Sequence, residues 1–170
     1  MSRLAAAVLA FVAFLALSIP MSAQLLPAGN VYAGVSYGSL TNVVVRQSYR
    51  GWNGSFEDML LSNHPHLGFV LDASGFYRTN VILYNFLGGA RLSTNYGRWR
   101  PFAHAMAGDR NINSNGFVTN QWLVDLGGGT DYKLSFRNFS WRVQGDYMFS
   151  HYLSANQNDF RASTGLVWRF

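Results

Sequence analysis

Apolar and polar residues alternate along most of this chain. Val31, Ala33, Val35 and Tyr37 share one parity while Tyr32, Gly34 and Ser36 share the other, the period of two that an extended strand imposes on its side chains. The alternation predicts eight strands, over 30–37, 50–59, 66–73, 81–92, 99–108, 121–134, 141–149 and 158–170. In the second, Trp52, Gly54 and Phe56 oppose Asn53, Ser55 and Glu57; in the third, Leu67, Phe69 and Leu71 oppose His66, Gly68, Val70 and Asp72. The fourth sets Ile82, Tyr84, Phe86 and Leu92 against Asn85, Gly89 and Arg91, and the sixth sets Trp122, Leu126 and Tyr132 against Asp125, Asp131 and Lys133. Trp141, Val143, Tyr147 and Phe149 oppose Arg142, Gln144, Asp146 and Met148 in the seventh. The fifth strand leaves its parity open, since Pro101, Ala103 and Ala105 oppose Arg100, Phe102 and His104; the arginine and histidine are placed inside.

Asn, Pro and Gly near 62–65, 95–97 and 136–138 predict tight turns. Polar stretches without periodicity over 38–49, 109–120 and 151–158, with a further connection near 77, predict longer loops. Short and long connections then alternate, and both ends of the strand array fall on the same side.

Composition narrows the class. Charged residues make up only 12% of the chain, against roughly twice that share in a water-soluble domain. Yet no run beyond the N terminus approaches the roughly 20 apolar residues of a membrane helix. Strands with one apolar face satisfy both absences, because half of each is hidden from a hydropathy window. At the N terminus, Arg3, an apolar run from Leu4 to Leu17, and Pro20 to Ala23 read as a secretory signal peptide over 1–23, leaving a single domain over 24–170. The chain has no cysteine, so neither a lipid anchor on a thiol nor a disulfide is available. The net charge of +5 is not gathered into a patch, which speaks against nucleic acid.

The last strand, NDFRASTGLVWRF, carries Phe160, Ala162, Leu166, Trp168 and Phe170 on one side and Arg161, Ser163, Gly165 and Val167 on the other. With its terminal aromatic it resembles the final strand of a bacterial outer-membrane β-barrel, and the eight-strand pattern is similar to the small OmpA-like and OmpX-like barrels of Gram-negative bacteria. The resemblance implies an all-β, antiparallel, up-and-down transmembrane barrel in the cell outer membrane, in contact with lipopolysaccharide. It also implies that Leu166, Trp168 and Phe170 form the signal read by the barrel-assembly machinery. Aromatics at strand ends, Trp141, Trp168 and Phe170 at one level and Trp122, Tyr147, Phe149 and Phe160 at the other, fit interfacial girdles.

Inward charges supply the candidate site. Counting from the turns places Asp131 opposite Arg142, Asp146 near Arg161 and Glu57 near His66, with Glu57, Arg91, Arg100, Asp131 and Arg142 at a common depth of about four to five residues. A barrel of eight strands is barely wide enough for its own side chains, so this network is expected to plug the lumen. The function expected is a non-enzymatic envelope or surface-recognition barrel without cofactor, metal or catalytic residues, its outer partner unspecified. A narrow channel is one alternative.

A lipid A deacylase is another. Such barrels resemble the stretch Phe149-Ser150-His151-Tyr152-Leu153-Ser154, but their histidine and serine stand two residues apart with a glutamate beside them. Here His151 and Ser154 differ by three and only Asp159 follows, so the base and nucleophile would face opposite sides. Gly127 to Gly129 sit within a strand and present no helix N-terminus to a phosphate, and His64 and His66 lack a third metal ligand.

Overall fold

Eight antiparallel strands, each paired with its neighbours in chain order, close into a barrel. The computed structural model describes residues 29–42, 45–61, 66–114, 116–136, 138–152 and 155–170; the expected signal peptide and its cleavage point lie outside them. The strands are β1 (Gly29–Asn42), β2 (Val45–Leu61), β3 (His66–Arg78), β4 (Val81–Ser93), β5 (Trp99–Ser114), β6 (Phe117–Lys133), β7 (Phe139–Tyr152) and β8 (Ala155–Arg169). Closure comes from β1 on β8, in register from Asn30 opposite Arg169 to Ser39 opposite Phe160.

Strand parity follows the sequence. Val31, Val35, Trp52, Phe69, Leu71, Phe86, Leu126, Val143, Phe160, Leu166 and Trp168 are exposed on the outside, while Asn53, Asp72, Arg91, Asp125, Asp131, Arg142, Asp146 and Arg161 are buried. The open parity of β5 resolves with Arg100, Phe102, His104 and Met106 inside. Lys133, expected inside, is exposed at the end of β6.

The connections depart from expectation. The described residues of 38–49, 109–120 and 151–158 are hairpin arms, not loops: β1 runs to Asn42 and β2 begins at Val45, β5 runs to Ser114 and β6 begins at Phe117, β7 runs to Tyr152 and β8 begins at Ala155. The connection expected near 77 is likewise a hairpin, β3 to β4, turning at Thr79–Asn80, where Asn80 adopts φ 62°, a left-handed conformation that asparagine tolerates. The physical reason is visible in the pairing. Beyond the lipid-facing belt the outer row turns polar, which erases the apolar parity, but the ladder continues; Asn111 Nδ2 donates to Asn120 Oδ1 at 2.7 Å across one register pair.

Apolar outer positions occupy a belt such as Phe160 to Trp168 on β8, matching the about 9–11 residues of a spanning strand, whereas β2 and β6 reach 17 residues. The outer ends therefore project past the bilayer, and there the patterning inverts. Leu40, Tyr49, Phe76, Val81, Leu83, Ile112 and Leu123 point inward and form one buried apolar cluster with Val70, Leu87, Met106 and Met148, while Arg46, Ser48, Asp109 and Asn120 face outward and are exposed. The same strands thus build a lipid-adapted barrel below and a water-adapted one above.

Candidate functional site

The lumen is filled by charge in three layers. At the end of the barrel where β1 begins and β8 ends, Arg142 donates from Nε to Asp131 Oδ1 at 2.7 Å and from Nη2 to Glu57 Oε2 at 3.1 Å. Arg91 bridges the same two acids, pairing with Glu57 and reaching Asp131 Oδ2 at 3.3 Å. Neighbours complete the acceptors: Ser55 Oγ donates to Glu57 Oε1 at 3.1 Å and Asn30 Nδ2 to Oε2 at 3.3 Å. The guanidinium of Arg91 stacks 3.6 Å over the Phe102 ring, a favourable arrangement for a desolvated cation.

One step further out, Arg161 binds three carboxylates, Asp72, Asp125 and Asp146, at 2.8, 3.1 and 2.6 Å. His104 Nε2 lies beside them, 3.0 Å from Asp146 Oδ1. The outermost layer joins Arg110 to Asp159, with Arg110 Nε donating to Asn85 Oδ1 at 2.9 Å and the Thr41 backbone N–H donating to Asp159 Oδ1 at 2.6 Å. The apolar cluster headed by Leu40, Phe76, Leu83 and Leu123 caps this layer. At the opposite end, the cavity beside Asn30, Glu57, Arg91 and Arg100 has a volume of about 10 Å³, scarcely room for one water.

The structure brings Glu57, Arg91, Asp131 and Arg142 together, and it sets Asp146 against Arg161. Register aligns Arg100 with Asp131, but its Nε and Nη2 donate to Ser93 Oγ at 3.2 and 3.1 Å. The expected pairing of Glu57 with His66 is wrong. β2 continues to Leu61 with an extra residue bulged between Met59 and Leu61, so Glu57 aligns with Val70 and His66 with Ser93. His66 sits at the rim with Nε2 3.2 Å from Asn95 Nδ2.

Sequence reasoning missed Asp72, Asp125, Arg110 and Asp159 as network members. The first two were legible as inward by parity, but their partner stands across the lumen and no hairpin count reveals it. Arg110 fell in a stretch taken for a loop, although Arg110 and Ile112 extend the inward row of Phe102, His104 and Met106; Asp159 stood in the predicted last strand on the parity of Arg161, and its partner Arg110 is on a distant strand. Of the residues resembling a deacylase, Ser150 is buried in the lumen, its hydroxyl donating to Gln157 Oε1 at 3.4 Å; Ser154 and the His151 side chain lie outside the described residues. At the C terminus, the Phe170 N–H donates to Gly29 O at 3.2 Å and its ring lies 5.2 Å from Trp168 and 6.5 Å from Phe56.

Neither a protein-family model nor a curated protein sequence matches the chain. Solved structures do. The N-terminal β-barrel domain of Pseudomonas aeruginosa OprF is similar at 15% identity with a TM-score of 0.64, over 85% of this chain and 98% of that one. Neisserial surface protein A is similar at 13% identity with a TM-score of 0.60, over 84% of this chain and 96% of that one. Ail, the attachment invasion locus protein of Yersinia pestis, is similar at 13% identity with a TM-score of 0.53, over 86% of this chain and its whole length, and has also been solved with the heparin analogue sucrose octasulfate. The likeness is one of fold: a small eight-stranded outer-membrane β-barrel. Together with the lipid-facing belt, it places the chain in the outer membrane.

Proposed function

We propose that the protein is a non-enzymatic outer-membrane barrel with a closed lumen, whose outer hairpins form a recognition surface. The closed lumen carries the reading. Among the described residues, three ion-pair layers under an apolar cap fill the lumen, and each layer spans the barrel from strand to strand, as Arg142 on β7 does to Glu57 on β2. The network substitutes for a hydrophobic core: ionised groups buried this deeply require partners, and here they hold opposite walls together.

Lipopolysaccharide is the lipid partner that fits the outer rim. Arg46, Arg50 and Arg78 stand exposed on β2 and β3 beside Tyr37 and Tyr77, a grouping suited to the phosphates of lipid A, since guanidinium groups recognise phosphate oxygens in pairs. The binding of a sulfated analogue by Ail, a neighbour in fold, is consistent with such a surface. Leu166, Trp168 and Phe170 serve as the assembly signal, on a strand whose outer row is presented to lipid.

Planar-bilayer recording of the purified full chain tests the closed lumen. The expected trace is flat across the voltage range. Reproducible conductance steps that disappear when Arg142 or Arg161 is replaced would establish a channel instead.

A further inference from the structure

The middle charged layer holds more acid than base. Asp72, Asp125 and Asp146 converge on one guanidinium, Arg161, which leaves this depth of the barrel negative where unbalanced charge is costly. Arg161 takes a single oxygen from each acid: Nη1 donates to Asp72 Oδ1, Nη2 to Asp125 Oδ2 and Nε to Asp146 Oδ2. The remaining oxygens of two of them, Asp125 Oδ1 and Asp146 Oδ1, have no hydrogen bond, and neither has His104 Nε2. These three atoms converge within 4.8 Å of one another. They belong to residues only 0, 1 and 8% exposed.

Their spacing is that of ligands around one ion. His104 Nε2 stands 3.0 Å from Asp146 Oδ1 and 3.7 Å from Asp125 Oδ1. Two donors each about 2.1 Å from a metal, at angles between octahedral and tetrahedral, stand about 3.0 to 3.4 Å apart; the Asp146 oxygen meets that spacing, and the Asp125 oxygen reaches it by moving inward a few tenths of an ångström. Gly127 keeps one side open: a Cβ there would meet Asp146 Oδ1 and approach His104 Nε2 to 2.6 Å. The neighbouring layers have their cations engaged, Arg110 with Asp159 and Asn85, Arg91 and Arg142 with Glu57 and Asp131.

We propose that His104, Asp125 and Asp146 form a buried site for one divalent transition-metal ion, held by His104 Nε2 and one oxygen of each carboxylate. An imidazole with two carboxylates suits zinc or manganese. Two positive charges beside Arg161 balance the three carboxylates of the layer, which a proton on His104 does only in part. Arg161 is a positioning residue: it fixes the Oδ2 atoms and turns the Oδ1 atoms toward the histidine. The ion is structural, captured as the strands close around it, and ties β5, β6 and β7 to β8 through Arg161.

The test folds the full chain from denaturant into detergent with Co²⁺ present and, separately, with a chelator. Unboiled gel mobility verifies that both preparations are folded. The expected result is one tightly held cobalt per chain with visible d–d absorption, displaced by Zn²⁺, and a higher melting temperature than the chelator preparation. His104→Gln and Asp125→Asn should fold yet lose both the cobalt bands and the gain in melting temperature. Folded wild-type protein with no stoichiometric cobalt and the same melting temperature under chelator overturns the proposal, as does folded His104→Gln that keeps the wild-type cobalt spectrum. Should the variants not fold, the two wild-type preparations decide.

Discussion

Arg161 serves Asp72, Asp125 and Asp146 together at no measurable exposure, so its loss strands carboxylates that have no water to turn to. Arg161→Met is expected to cost about 3–5 kcal/mol, the range for breaking a buried charge cluster from one side. Arg169 makes a comparable ion pair with Asp131, yet its side chain is 26% exposed; Arg169→Met should cost under about 1 kcal/mol, since solvent screens the pair. Urea unfolding in lipid vesicles, followed by tryptophan fluorescence, measures both, and equal losses would show that burial does not set the strength of these pairs. At this scale the sequence was informative about direction but not about partners. Parity placed Asp72, Asp125 and Asp146 inside, and hairpin counting matched Asp131 with Arg142 and Asp146 with Arg161, because these sit on adjacent strands. Contacts across the lumen, such as Arg142 to Glu57 or Arg161 to Asp72, depend on barrel closure and shear, which no local count contains.

The strands carry two solvents along their length. Their lower parts present aromatic and aliphatic side chains to lipid, and their outer ends bury Leu40, Leu83, Ile112 and Leu123 inside while exposing Arg46, Ser48, Asp109 and Asn120. Leu123 is fully buried there, so Leu123→Ala should destabilise by about 2–5 kcal/mol, as in a soluble core, measured by the same unfolding assay. A loss under about 0.5 kcal/mol would mean that the outer hairpins contribute no packed core. The change of solvent also explains why three connections were misread. Where the outer row becomes Ser, Asn and Arg, alternation of apolarity fades while hydrogen bonding persists, so strand ends over 38–49, 109–120 and 151–158 looked like loops. The last element has a separate expectation. Deleting Phe170 should lower the amount of barrel assembled in cells while leaving folding into detergent intact, since the residue adds one backbone hydrogen bond and surface ring contacts; unchanged assembly in cells would remove the assigned role of the terminal aromatic.

For the whole molecule, stability comes from an inverted arrangement: a polar interior braced by ion pairs and an apolar exterior that only lipid can cover. Eight strands leave too little room for a water-filled pore, and the charge layers make that narrowness into cross-braces. The sequence made this architecture legible because one parity of every strand is greasy and the other polar, and because the last strand ends in an aromatic. All five tryptophans, Trp52, Trp99, Trp122, Trp141 and Trp168, lie on the outer face and are 42 to 61% exposed. The most direct measurement therefore needs no variant: quenching of the native tryptophan fluorescence in vesicles, by lipids brominated along their acyl chains and by acrylamide in the water. The account predicts strong quenching by the brominated lipid and weak quenching by acrylamide. Strong acrylamide quenching with none from the brominated chains would contradict it, placing water where the outer belt is held to meet the bilayer.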